Sequence, residues 1–100
     1  MIEIRETARF SSWLEGLRDR RGRARIVERI YRLSLGNPGD VAPVGDGLSE
    51  MRIHYGPGYR VYFVRRGEKL VVLLGGGNKS TQARDIKAAK TLAANLETDP

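Results

Sequence analysis

The sequence contains no cysteine and a single histidine, His54. The missing cysteine excludes a disulfide framework and any thiolate metal site, and it suits a reducing compartment. With one histidine and no clustered carboxylates, nothing has zinc, magnesium or calcium ligand spacing. No metal and no other cofactor is therefore expected. Long hydrophobic runs are missing too. The longest, Leu70 to Leu74, falls far short of the roughly 20 residues that cross a bilayer. The opening Met-Ile-Glu-Ile-Arg has no basic region followed by an apolar stretch, so no signal peptide and no membrane association are expected. No Gly-x-Ser-x-Gly elbow presents a serine for nucleophilic attack. Gly75-Gly76-Gly77-Asn78-Lys79-Ser80 lacks the leading glycine and the Gly-Lys pair of a phosphate loop, which argues against nucleotide hydrolysis.

What the chain has in abundance is positive charge. Lysine and arginine number 18 against 12 acidic residues, a formal charge of +6 in 100 residues. A field of that sign steers a small protein toward nucleic acid, an anionic surface or an acidic partner. The length fits one domain, read as residues 1–97 with a frayed tail over 98–100.

Periodicity divides the chain into elements. Ile2 to Arg5 alternates apolar and charged residues, as a short strand does. Phe10, Trp13, Leu14 and Leu17 then form one helical stripe, and Asp19-Arg20-Arg21-Gly22 interrupts it. Ala24, Val27, Ile30, Tyr31 and Ser34 make a second stripe, ending before Gly36-Asn37-Pro38-Gly39. Past Pro43 the period becomes two. With Gly56 to Gly58 as a three-residue loop, Tyr55 faces Tyr59 and Ile53 faces Val61 across a hairpin. Met51, Ile53, Tyr55, Tyr59, Val61 and Phe63 then share one face, and Arg52, His54, Arg60 and Tyr62 the other, left to solvent or ligand. Leu70 to Leu74 reads as a central strand. A last helix from about Ser80 turns Ile86, Ala89, Ala93 and Leu96 inward. The order predicts an α+β domain with its helices on one side of an antiparallel sheet.

The residues suited to chemistry are cations. Arg52, His54, Arg60 and Tyr62 share a strand face, and Lys79 and Gln82 lie where the central strand hands over to the last helix, with Tyr62 and Gln82 expected to contact RNA. RNA cleavage by its own 2′-hydroxyl needs proton removal, stabilised charge on phosphorus oxygens and a protonated leaving oxygen. Arginines and a lysine can supply the second and the third, with His54 as the acid–base candidate. The bland alternative is a solvated face of a half-buried sheet. Arg25, Arg29 and Arg32 lie opposite the second helix's apolar stripe, either as an ordinary solvated face or as a sequence-independent grip on an RNA backbone. Phe10 and Trp13 read as core.

Gly47-Leu48-Ser49-Glu50-Met51-Arg52-Ile53 and Gly58-Tyr59-Arg60-Val61-Tyr62-Phe63 resemble the paired arginine motifs of RelE/ParE-superfamily toxins. Leu73 to Gln82, followed by Asp85-Ile86 and Ala88-Ala89, is similar to the HigB-type, phage Gp49-like branch. The likeness covers nearly the whole chain. It implies a sheet packed on a helical hairpin, and a cytoplasmic toxin of a type II toxin–antitoxin module. The implied partners are a cognate antitoxin, commonly a helix-turn-helix protein, and the ribosome with its mRNA. The implied activity is metal-independent, ribosome-dependent endoribonuclease cleavage, an mRNA interferase. By position, Arg52, Arg60 and Lys79 match the family's basic residues. The tyrosine or histidine that some members carry late in the last helix or tail is absent from Leu92 to Pro100, which leaves either His54 or no general base at all for acid–base work. A ParE-like gyrase poison and a plain nucleic-acid-binding module are the alternatives.

Overall fold

The computed structural model describes residues 1–98, with side chains through residue 96. In chain order the elements are β1 (Glu3–Glu6), α1 (Ala8–Gly16), α2 (Arg20–Ser34), β2 (Val41–Gly45), β3 (Leu48–Ile53), β4 (Tyr59–Arg66), β5 (Leu70–Gly77), a 3-10 turn (Lys79–Thr81) and α3 (Gln82–Thr98). Beyond that last helical residue, the expected tail lies outside the described residues.

The α+β class holds, in a five-stranded sheet ordered β1-β5-β4-β3-β2. Two details of the expected architecture are corrected. β1 runs parallel to β5, so the sheet is mixed. The helices cover both faces. Phe10 of α1 and Ile26 and Leu33 of α2 pack with Met51, Ile53, Val61, Phe63 and Leu73. Ala89 and Ala93 of α3 pack with Leu48, Tyr62, Val64 and Leu74 on the opposite side. The cause is in β4 and β5, whose apolar residues point both ways and would expose one set if left half-covered.

The two N-terminal helices are set by their caps. Thr7 Oγ1 accepts from the Phe10 amide at 3.2 Å and starts α1. Asp19 caps α2, accepting from the Gly22 amide at 3.0 Å and from the Tyr59 hydroxyl at 2.9 Å. The interruption therefore falls at Leu17 to Asp19, and Arg20 to Gly22 form the first turn of α2 rather than a break. A Cβ on Gly22 would stand 2.5 Å from the Tyr59 ring, so only glycine permits this approach. Anchored there, α2 turns Gly22, Ile26 and Leu33 inward, and Val27 and Tyr31 are 50% and 59% exposed. Of the expected stripe only Ile30 and Ser34 face the core; Ala24 is exposed as well.

A strand and a hairpin escaped the periodicity. β2 pairs antiparallel with β3 through Asp46-Gly47, both at positive φ (55° and 77°). Asp-Gly between strands is a strong hairpin signal, and it stood in the sequence. The β3–β4 register also differs from expectation by two residues. Ile53 pairs with Tyr59, Met51 with Val61 and Arg52 with Arg60. The loop has its own turn bonds, Tyr55 N–H to Ile53 O at 2.8 Å and Gly58 N–H to Tyr55 O at 3.1 Å. Because the slip is even, the paired residues of β3 and β4 keep their predicted faces, while His54, past the end of β3, does not stay with Arg52, Arg60 and Tyr62.

β5 continues through Gly75-Gly76-Gly77. A Cβ at Gly76 would meet the Trp13 ring at 2.3 Å, and one at Gly77 would collide with the Asp85 carboxylate. Gly76 and Gly77 let α1 and α3 close on opposite sides of one strand, which accounts for those two by packing.

A candidate cationic site built on a buried glutamate

The centre of the site is Glu50 in β3, whose side chain is fully buried. Its place follows from strand alternation: Leu48, Glu50 and Arg52 point to one side, and Tyr62 stands directly opposite Glu50. The Tyr62 hydroxyl donates to Glu50 Oε2 at 3.1 Å, and Gln82 Nε2, at the start of α3, donates to the same oxygen at 2.7 Å. Arg52 Nε donates to Oε1 at 3.0 Å. Arg60 Nε lies 3.6 Å from Oε2 as an ion pair without a hydrogen bond, while its Nη1 donates to Gly58 O at 2.7 Å.

A buried carboxylate is tolerated only when its charge and lone pairs are answered. Burial by itself would raise the Glu50 pKa. Hydrogen bonds from Arg52, Gln82 and Tyr62, with the Arg60 charge, outweigh it and hold the carboxyl below its ordinary range. The same pairing raises the pKa of Arg52. Burial, and then the Glu50 charge, push the Tyr62 phenol far up, so it acts as a neutral donor.

The two arginines are not equivalent. Arg52 is 39% exposed and engages Glu50 through Nε, whereas Arg60 is 13% exposed. Lys79 joins from the 3-10 turn. Its backbone N–H reaches Pro57 O at 3.4 Å, and Gly58 lies between its Cβ and the Arg60 guanidinium. The Lys79 side chain is exposed.

Arg52, Arg60, Tyr62 and Gln82 thus meet around one carboxylate, with Lys79 beside Arg60. Tyr62 corrects its expected role: it is wholly buried, so it holds Glu50 and cannot touch RNA. His54 is not with this group. It leaves β3 after Ile53, is 75% exposed, and pairs through Nε2 with Asp40 Oδ2 at 2.5 Å. It lines a shallow hollow of about 260 Å³ with Arg25, Glu28, Arg29 and Arg32. Asp40 has its pKa lowered, first by the His54 hydrogen bond and then, against burial, by the charges of Arg52, His54 and Arg29. Asp40 is therefore the electrostatic link between His54 and Arg52.

The α2 arginines also separate. Arg25 stacks 4.6 Å above the Tyr55 ring, and Arg32 pairs with Glu28 at 2.9 Å on the exposed face. Arg29 corrects the expectation of a solvent-facing RNA contact. Its guanidinium donates to the carbonyls of Arg52 (2.6 Å), Pro38 (2.9 Å) and Asp40 (3.4 Å), and burial lowers its pKa. It braces the α2–β2 connection against β3. Sequence reasoning missed Glu50 and Asp40. The signal for Glu50 was its parity with Arg52, on a strand face that an isolated carboxylate would not share with core leucine.

Among the described residues, no three histidine, cysteine, aspartate or glutamate side chains gather where a metal could bind. No described helix is long and apolar enough to cross a membrane.

Residues 12–97 match the model of the phage-derived protein Gp49-like family (DUF891). The chain belongs to the Gp49-like family. This is a toxin-like family. The match spans every residue of the Glu50 cluster and leaves out β1 and the first turn of α1. One relative of this Gp49-like protein is a Haemophilus influenzae (strain ATCC 51907 / DSM 11121 / KW20 / Rd) protein named only "Uncharacterized protein". It is 52% identical over 95 residues, covering 95% of this chain and 96% of its own length.

Proposed function

We propose that this chain is the HigB-type, RelE/ParE-superfamily toxin of a type II toxin–antitoxin module, acting in the cytoplasm as a metal-independent, ribosome-dependent endoribonuclease. The observation that carries the reading is the Arg52–Glu50–Arg60 constellation with Lys79 at its rim, a surplus of positive charge at the end of a rigid sheet. RNA cleaved by its own 2′-hydroxyl gathers negative charge on the phosphorus oxygens, and donors already aimed at that charge accelerate the step.

In this reading the exposed groups, Arg52 and Lys79, meet the phosphate. Glu50 fixes the Arg52 guanidinium through Nε, which leaves its planar outer edge free to face two oxygens. Arg60, mostly buried, adds charge from beneath and positions the loop at Gly58. Gln82 holds Glu50 from the α3 side and lies at the edge of the RNA path. His54 stands outside the cluster, joined to it only through Asp40, and is the acid–base candidate through Nδ1 where the RNA path extends past Asp40. Arg25 and Arg32 extend the cationic surface along α2 as backbone contacts that position RNA without reading it.

The test is induced expression in bacteria with transcript ends mapped. The reading expects growth arrest, new ends in phase with the reading frame, cleavage that survives chelator, and no cleavage when the scissile 2′-hydroxyl is removed. Arrest with intact transcripts and impaired gyrase would instead assign the chain to the gyrase poisons.

A further inference from the structure

Among the described residues, four large apolar side chains are strongly exposed: Met1 (86%), Val27 (50%), Tyr31 (59%) and Leu35 (54%). They are not scattered. Val27, Tyr31 and Leu35 recur every fourth residue along α2 and its C-cap, with exposed Ala24 one turn before Val27. Met1 lines the same hollow of about 300 Å³ as Leu35. α2 therefore has two apolar stripes: Ile26 and Leu33 in the core, and this one on the side away from the sheet. A solvent-facing helix side is ordinarily polar, and a contiguous apolar patch with a polar rim marks an interaction surface.

The rim says what fits. α2 carries six arginines and one acidic residue, Glu28, which is already paired with Arg32. Two such helices laid together would oppose arginine to arginine, so a second copy is disfavoured. Nucleic acid would use the arginines but gain little from Val27 and Leu35. We propose that the Val27–Tyr31–Leu35 stripe is the docking site for an acidic amphipathic helix of a protein partner, its apolar side on the stripe and its carboxylates on the flanking arginines. That this partner is the antitoxin rests on the proposed function; the surface and its chemistry do not. α2 covers the sheet face opposite Glu50, Arg52 and Arg60, so a helix docked there leaves the cationic cluster open. An antitoxin bound this way would silence the toxin by keeping its bulk off the ribosome.

The test uses the full chain and two synthetic helical peptides with the same leucine stripe, one flanked by glutamate and one by lysine. The glutamate peptide should bind saturably, weaken as salt rises, and outcompete the lysine peptide. The exposed triple variant Val27→Gln/Tyr31→Gln/Leu35→Gln should fold normally by circular dichroism and bind it on the order of thirtyfold more weakly, as for loss of a central aromatic contact. No saturable binding, equal binding of the two peptides, or undiminished binding by a folded triple variant overturns the proposal. A wild-type dimer that the triple variant abolishes would assign the stripe to a second copy and overturn it as well. These readouts involve no RNA, so their failure leaves the cleavage reading standing, and intact transcripts would leave this one standing.

Discussion

The arginines of α2 and those of the β3–β4 hairpin carry the same charge in different surroundings. On α2, Arg25 and Arg32 lie at the surface, satisfied by a ring and by an i,i+4 glutamate. At the hairpin, Arg52 and Arg60 face each other across paired strands and would repel without Glu50 buried between them. Exposed charge is screened by water and contributes little to stability, while charge fixed to a buried counter-ion is held in place. The difference separates a surface that attracts from a site that can position.

The sharpest way to break that contrast is to remove the counter-ion. Glu50→Ala leaves Arg60 buried without its carboxylate and should destabilise by about 3–5 kcal/mol, read by urea unfolding. That is a large share of the 5–15 kcal/mol typical of a domain. A loss below about 1 kcal/mol would show that the pair is solvated and the contrast illusory. The pH dependence has a definite sign. Folding lowers the Glu50 pKa, so its stabilising contribution is complete above the unfolded value of about 4.3 and is lost as pH falls through the folded one. Glu50→Gln should flatten that acid limb.

Activity should divide along the same line. Under the nuclease reading, Arg52→Ala and Lys79→Ala each lower the cleavage rate on the order of a hundred- to thousandfold. Both should lose less stability than Glu50→Ala. Arg25→Gln with Arg32→Gln should weaken ribosome association and its salt dependence while leaving the rate of bound complex unchanged. Equal losses of bound-complex rate in the two sets would erase the distinction between site and surface.

Arg29 refines the comparison within α2 itself. Arg29→Gln takes a donor from three backbone carbonyls and should destabilise by about 1–3 kcal/mol, whereas Arg25→Gln or Arg32→Gln should stay within about 0.5 kcal/mol. Equal effects would return Arg29 to the solvated face. The smallest expected change is at His54. His54→Ala should leave stability nearly unchanged and lower the cleavage rate only where its free nitrogen moves the proton. An unaltered rate would leave catalysis to charge and positioning.

Much of this was legible one element at a time. Strand alternation placed Arg52 and Arg60 on one face, helical spacing put Ala89 and Ala93 inward, and apolar β5 read as central. Each is a local period, fixed by backbone geometry that the residues carry with them. Where two readings fitted the local pattern, the choice came from elsewhere. On α2 two apolar stripes compete, and the Asp19–Tyr59 bond with the close approach at Gly22 selects Ile26 and Leu33 for the core. The hairpin's turn bonds select a register two residues from the one expected.

By itself the sequence determined the α+β class, the faces of β3 and β4, the positive field and the absence of thiolate chemistry, all of which follow from composition and short-range period. Only the tertiary structure decided that α3 covers the second sheet face, that Glu50 is the buried partner of two arginines, that Arg29 is a brace, and that His54 stands apart with Asp40. The physical reason is that a charged side chain takes its role from its surroundings. Burial and counter-charge are set by residues distant along the chain, such as Gln82 beside Glu50, and no local period records which of them will meet.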